Sequence, residues 1–325
     1  MASNGTHPAR DRPWLRAVVA ALGLLTALGM FIVLIAGDVV TDTGSEHGCG
    51  ASWPLCHGQF VPVFAVSTAI EFTHRALVGV ETVLVALLVI GLLWLYWRRL
   101  SAWVISILLV GTLILQAGLG AWAVLAPVSA WILATHFGVS LLCFAGAVLA
   151  GAAAFWPDRM LRPQPTSRGV VAAVWGTAVY LYLMVYSGAY VAHAGAALSC
   201  GTNWPLCTPL GPPPLVAVNL IHRTGAVITL LLGIGLLLFL RWQAGARRDL
   251  MVGAWWFLVT VLAQALAGGV LVLSEQNLFG QLLHAGAMAF PFGALAFLCF
   301  RVSLRPNAAE TAPGTATLVP QTARR

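Results

Sequence analysis

Four histidines of this 325-residue chain are spaced as two matched pairs. His74 and His136 lie 62 residues apart, and so do His222 and His284. All four fall within apolar runs, where an ionisable side chain is costly and marks a functional site by default. Neutral imidazole is a good ligand for haem iron, and helix-bundle interiors commonly house such groups. Zinc or copper would normally recruit a third or fourth protein ligand, yet no other Cys, His or carboxylate is repeated at that depth. A porphyrin brings its own equatorial ligands and needs only axial ones from the protein. Bis-histidine haem ligation fits the pattern best; a single such histidine would instead suggest hydrogen bonding between helices.

Arg75 and Arg223 directly follow His74 and His222. A haem carries two propionates, which a neighbouring guanidinium can hold by charge-assisted hydrogen bonds. Snorkelling to the membrane interface is the alternative role for such arginines.

The elements that must position these groups are membrane helices. Hydrophobic residues make up 60% of the chain and charged residues only 8%, with a mean hydropathy of +0.89. A bilayer-crossing helix needs about 20 apolar residues. Eight segments qualify, near 15–37, 72–97, 102–125, 131–156, 169–192, 217–240, 250–273 and 279–300. The arginines ahead of the first segment raise the question of a signal peptide. That segment is too long for an h-region and lacks a clear cleavage site, so a retained anchor is expected.

The formal charge of +7 reports topology and excludes nucleic acid as the expected partner. All 17 cations are arginines, and apart from Arg75 and Arg223 they fall on one side of an eight-helix arrangement. This positive-inside bias places both termini in the cytoplasm of a multi-pass cell-membrane protein. The connectors at 38–71 and 193–216 then lie outside.

Those two outer connectors carry "CGASWPLC" (49–56) and "CGTNWPLC" (200–207). Outside the membrane, cysteines can stay oxidised, which favours the disulfides Cys49–Cys56 and Cys200–Cys207. A metal site and exchange-competent thiols remain as alternatives. Cys143 and Cys299 sit in apolar helices and read as small hydrophobic filler.

The duplication runs through the whole chain. An offset of 148 brings His74-Arg75 onto His222-Arg223, Gln116 onto Gln264, Gly120 onto Gly268 and His136 onto His284. The Cys loops align at an offset of 151. The expected architecture is all-α: two tandem pseudo-symmetric four-helix bundles, residues 1–156 and 169–301. A polar, Pro-rich linker (157–168) joins them, and a disordered tail (302–325) follows.

"EFTHR" on the second helix, "HR" on the sixth, lone histidines on the fourth and eighth, and a Cys-x6-Cys outer loop together resemble the haem A synthase family. The resemblance covers roughly residues 15–300 and rests on a constellation with repeat symmetry. It implies oxidation of the C8 methyl of haem O to a formyl group, giving haem A for aa3-type terminal oxidases. It also implies that one half holds haem b as cofactor while the other receives the substrate haem. Partners implied are haem O itself, a haem O synthase, and an electron donor such as a quinol or redox protein. Beyond these the protein contacts membrane lipid. Self-association through lipid-facing helices is compatible with the chain, although no decisive small-xxx-small motif marks it.

The halves differ in one suggestive place. Glu71 precedes His74 by one helical turn, whereas the aligned residue before His222 is Asn219. The matching family carboxylate is functionally critical, which makes Glu71 the expected catalytic residue. Beside a reacting haem edge such a group could move protons or stabilise positive charge; favouring a helix N-terminus is its ordinary role. His74 and His136 are thus expected to hold the substrate haem, and His222 and His284 the cofactor, the latter from the resemblance alone. Asp42, Glu46, His47, His57 and His193 suit either a haem access route or ordinary loop chemistry. Glu81 suits a proton path or a structural contact. A di-haem b electron-transfer cytochrome of the quinol oxidoreductase type needs the same histidines. It would usually place its haems near opposite faces, whereas all four histidines here lie toward the outer end.

Overall fold

A computed structural model of the chain describes residues 13–126, 129–243 and 247–304. Residues 1–12 and the tail from Arg305 onward, with Arg10, Arg12, Arg324 and Arg325, lie outside the described residues. Ten helices are present among the described residues: α1 (Pro13–Asp42), α2 (Val66–Tyr96), α3 (Leu100–Leu125), α4 (Ala130–Phe155), α5 (Pro157–Met160), α6 (Arg168–His193), α7 (Pro213–Gln243), α8 (Arg248–Leu273), α9 (Leu278–Ala287) and α10 (Ala289–Ser303). Eight apolar spans are long enough to cross a membrane, with α9 and α10 together forming the last. The protein is an all-α, multi-pass membrane protein.

Helices α1 to α4 pack in a closed ring of neighbours, and α6, α7, α8 and α10 repeat that ring. The units meet through α4 against α6 and α10, and α1 against α9. Helix α4 is the most enclosed, because its "AGAVLAGAAA" run (145–154) lets backbones approach closely. A Cβ on Gly23 of α1 would stand 2.8 Å from Gly151 Cα, and one on Gly146 would stand 3.0 Å from Leu109 Cα of α3. The small residues absent as an oligomerisation motif thus serve contacts inside the fold.

Two local features depart from the sequence expectations. The last span is not one straight helix: it breaks at Met288, just after His284. Pro291 explains the break, since it offers no N–H to the Ala287 carbonyl four residues earlier. Its counterpart in the first unit is Cys143, and α4 runs through unbroken. The linker is more ordered than its composition suggests, because α5 forms and Met160 and Leu161 are buried.

Arg301, expected as an ordinary loop-side cation, is instead buried, 2% exposed. Its Nε donates to Asp249 Oδ2 at 3.0 Å, and its Nη1 donates to the Met160 and Arg162 carbonyls. Asp249 is also held bidentately by Arg247, which reaches the linker at Thr166. This cluster closes the end of the molecule opposite the Cys loops.

Candidate functional site

His74 stands on α2, His136 on α4, His222 on α7 and His284 on α9. The two rings of each pair lie within electrostatic reach of one another inside their own unit. Each ring also faces a glycine on a neighbouring helix. A Cβ at Gly37 of α1 would lie 3.2 Å from His74 Cε1, and one at Gly120 of α3 would lie 3.3 Å from His136 Cε1. In the second unit the corresponding distances are 2.6 Å from Gly188 of α6 to His222 and 3.1 Å from Gly268 of α8 to His284. Gly37 aligns with Gly188 at the loop offset of 151, and Gly120 with Gly268 at 148. Four side-chain-free positions thus give four imidazoles room to stand in a flat slot.

The polar surroundings of the rings differ between units. Ser187 Oγ lies 3.2 Å from His222 Nδ1. Gln264 Nε2 lies 3.3 Å from His284 Nδ1 and donates to the His284 carbonyl. In the first unit Gln116 Nε2 lies 3.1 Å from His136 Nε2 and donates to Ser140 Oγ at 2.5 Å. His74 Nδ1 and His136 Nδ1 are buried without a hydrogen-bond partner. Among the described residues no three His, Cys, Asp or Glu side chains converge as a metal site. Paired histidines in glycine-lined slots, with orphaned ring nitrogens in the first unit, fit a metal that carries its own equatorial ligands, as haem iron does.

Above the rings, each unit clamps its outer loop in the same way but with opposite polarity. Glu71 is 4% exposed and accepts from the Cys49 N–H at 2.7 Å. Its other oxygen pairs with Arg75 Nη2 at 2.5 Å, while Arg75 Nη1 donates to the Ser52 and Leu55 carbonyls. In the second unit Asn219 donates to the Ala196 and Ala197 carbonyls and accepts from Arg223 Nε. Arg223 Nη1 donates to the Asn203 and Leu206 carbonyls. Its Nη2 is buried and unpartnered. Both arginines therefore tie the loops to the histidine helices, a use that sequence spacing alone did not suggest.

The loops are closed by disulfides, with Sγ–Sγ distances of 2.05 Å for Cys49–Cys56 and 2.02 Å for Cys200–Cys207. Each contains a cis Trp-Pro bond, Trp53-Pro54 or Trp204-Pro205. Trp204 covers Gly269 beside the His284 slot. His57 closes the first loop, with Nε2 2.9 Å from the Gly48 carbonyl. His193, at the end of α6, lies within electrostatic range of His136 across the unit boundary, and Asp42 lies within range of Glu46. Glu81 is buried against Gly29, away from the outer loops. Glu46 and His47 remain on the first loop.

Fold and site together define a class: an all-α membrane protein with a facing histidine pair in each of two repeated four-helix units. Relatives of the chain narrow this. It is 41% identical over 298 residues to a protein of Symbiobacterium thermophilum named "Heme A synthase", covering 86% of this chain and 94% of that one. A protein of the same name from Shouchella clausii is 37% identical over 296 residues, covering 87% and 95%. Another from Bacillus cereus is 33% identical over 308 residues, covering 93% and 97%. The chain belongs to the cytochrome oxidase assembly protein family, whose profile matches residues 20–296.

Proposed function

We propose that this protein is a haem A synthase, an oxidoreductase that converts the C8 methyl of haem O to the formyl group of haem A for aa3-type terminal oxidases. The observation that carries this is a duplicated histidine pair at one depth with unequal surroundings: Glu71 stands above one pair and Asn219 above the other. A cytochrome that only relays electrons between two equivalent haems has no need of that difference. The relatives named for the activity span nearly the whole chain.

Residues 1–156 form the substrate half, where His74 and His136 receive haem O. Residues 169–301 form the cofactor half, where His222 and His284 would hold haem b. When bound, haem b supplies one-electron redox chemistry. The glycine slots orient the histidine rings for a bound haem. The Cys loops exclude water from above. Glu71, one turn from His74, holds or moves a proton at its carboxylate beside the substrate edge. Arg75 and Arg223 meet propionates; the unpartnered Nη2 of Arg223 supports this for the second unit. The termini and the Arg301 cluster face the cytoplasm and the Cys loops face outside. Haem O synthase and a quinol or redox protein are the supplying partners.

Extracted-haem analysis of the purified protein tests the function. Resident haem b with traces of haem O and haem A is expected, whereas two permanent haem b groups would identify a di-haem cytochrome. Single His→Ala variants test the halves. Loss of low-spin haem b is expected for His222→Ala and His284→Ala. For His74→Ala and His136→Ala, haem b is retained but haem A production is lost.

A further inference from the structure

The hydroxyl of Ser187 takes part in three contacts, a long one to Met184 Sδ at 3.8 Å and two that bear on a protonation pattern. It donates to the Met184 carbonyl at 2.8 Å, and its oxygen lies 3.2 Å from His222 Nδ1. A serine hydroxyl has one proton to give, and a carbonyl can only accept. With that proton directed at Met184, the oxygen can only accept from the ring. His222 Nδ1 therefore carries the hydrogen, and the lone pair of the neutral imidazole is left on Nε2. That is the tautomer that ligates iron through Nε2.

The first unit lacks this device. Ala36 occupies the position aligned with Ser187, at the same offset of 151 that brings Gly37 onto Gly188. His74 rests on Gly37 much as His222 rests on Gly188, and each ring lies against an aligned backbone carbonyl, Val33 or Met184, yet no side chain meets His74 Nδ1. The glutamines differ as well, Gln264 lying against His284 Nδ1 and Gln116 against His136 Nε2, but both units have one. Ser187 against Ala36 is a presence-or-absence difference, on the helix packed against the ligand helix in each unit.

We propose that Ser187 is a positioning residue that locks His222 for permanent haem ligation. Ala36 in its place leaves His74 a looser ligand from which a macrocycle can leave. One hydroxyl thereby separates the retaining site from the exchanging one. The inference rests on the assignment of resident haem b to the second unit. Partners that fix the second nitrogen of a ligating imidazole typically contribute about 10–100-fold in affinity.

The experiment measures haem release from full-length detergent-purified protein to excess apomyoglobin, alongside the reduction midpoint of the bound haem. Ser187→Ala should release haem b about tenfold faster, or more, with a midpoint moved to more positive potential because the ring is a weaker donor. Ser187→Thr keeps the hydroxyl and should restore both values. Ala36→Ser should slow release from the first unit, loaded with added ferric haem b, by a comparable factor. A purely structural role for Ser187 would not move the midpoint or respond to threonine. Wild-type release and midpoint in Ser187→Ala, with haem b absent from His222→Ala, would overturn this inference and leave the assignment of halves standing. Haem b retained in His222→Ala but lost from His74→Ala would overturn the assignment and this inference with it.

Discussion

Adding one methyl group at Gly188 tests whether the glycine slots hold the rings as described. The new Cβ would stand 2.6 Å from His222 Cε1. Carbon atoms settle at about 3.5–4.0 Å, so the ring must withdraw by about 1 Å or α6 must move. Overpacking of this kind costs about 1–3 kcal/mol, equivalent to roughly fivefold to 150-fold in haem affinity. The aligned change, Gly37→Ala, meets His74 Cε1 at 3.2 Å and needs a shift of only a few tenths of an ångström. Gly188→Ala should therefore lose most low-spin haem b, measured by reduced-minus-oxidised absorbance and pyridine haemochrome on purified protein. Gly37→Ala should keep its haem b and lose haem A output only partly. Thermal melts of both variants separate ligand displacement from general unfolding. A folded Gly188→Ala protein with a full complement of wild-type low-spin haem b would refute the slot geometry.

Glu71→Gln should leave the outer loop closed, since the amide oxygen can still accept from the Cys49 N–H and only the Arg75 ion pair is lost. Haem b should then be retained while haem O or a hydroxylated intermediate accumulates; normal haem A output would remove the carboxylate from the chemistry. Non-reducing peptide mapping of protein from aerobically grown cells should recover both Cys crosslinks, and free thiols at all four positions would contradict them. Reducing either loop should lower stability by roughly 2–3 kcal/mol from chain entropy, read as a lower melting temperature. Arg301→Met leaves Asp249 with Arg247 alone and should destabilise the protein by about 3 kcal/mol. An unchanged melting temperature would show that the cluster contributes nothing to stability.

Hydropathy and the 148-residue offset were enough to locate the eight spans and four histidines. Length and apolarity are global properties that a bilayer enforces, and a repeat shows its equivalences in one dimension. What escaped was set by contacts between helices. Gly120 and Gly268 were visible as an aligned pair, but Gly37 and Gly188 follow the loop offset and emerge only when the rings are seen against them. Ser187 looked like any small residue of a membrane helix, because its role depends on the direction in which one hydroxyl proton points. Arg75 and Arg223 stood out by charge alone, and their loop-tying bonds depend on where the Trp-Pro segments fold back. Pro291 did signal a break, yet the strong apolarity of 279–300 concealed it.

The buried Arg301 cluster has a mechanical consequence. Its guanidinium belongs to the second unit, while the Met160 and Arg162 carbonyls belong to the chain leaving the first. Spreading the units at that end would strip a charged group of its partners in a poorly solvated place, which is costly. The two units are thus pinned together at the arginine end. A covalent crosslink between α10 and the linker at that end is expected to leave the fold as it is, because the two already move as one piece there.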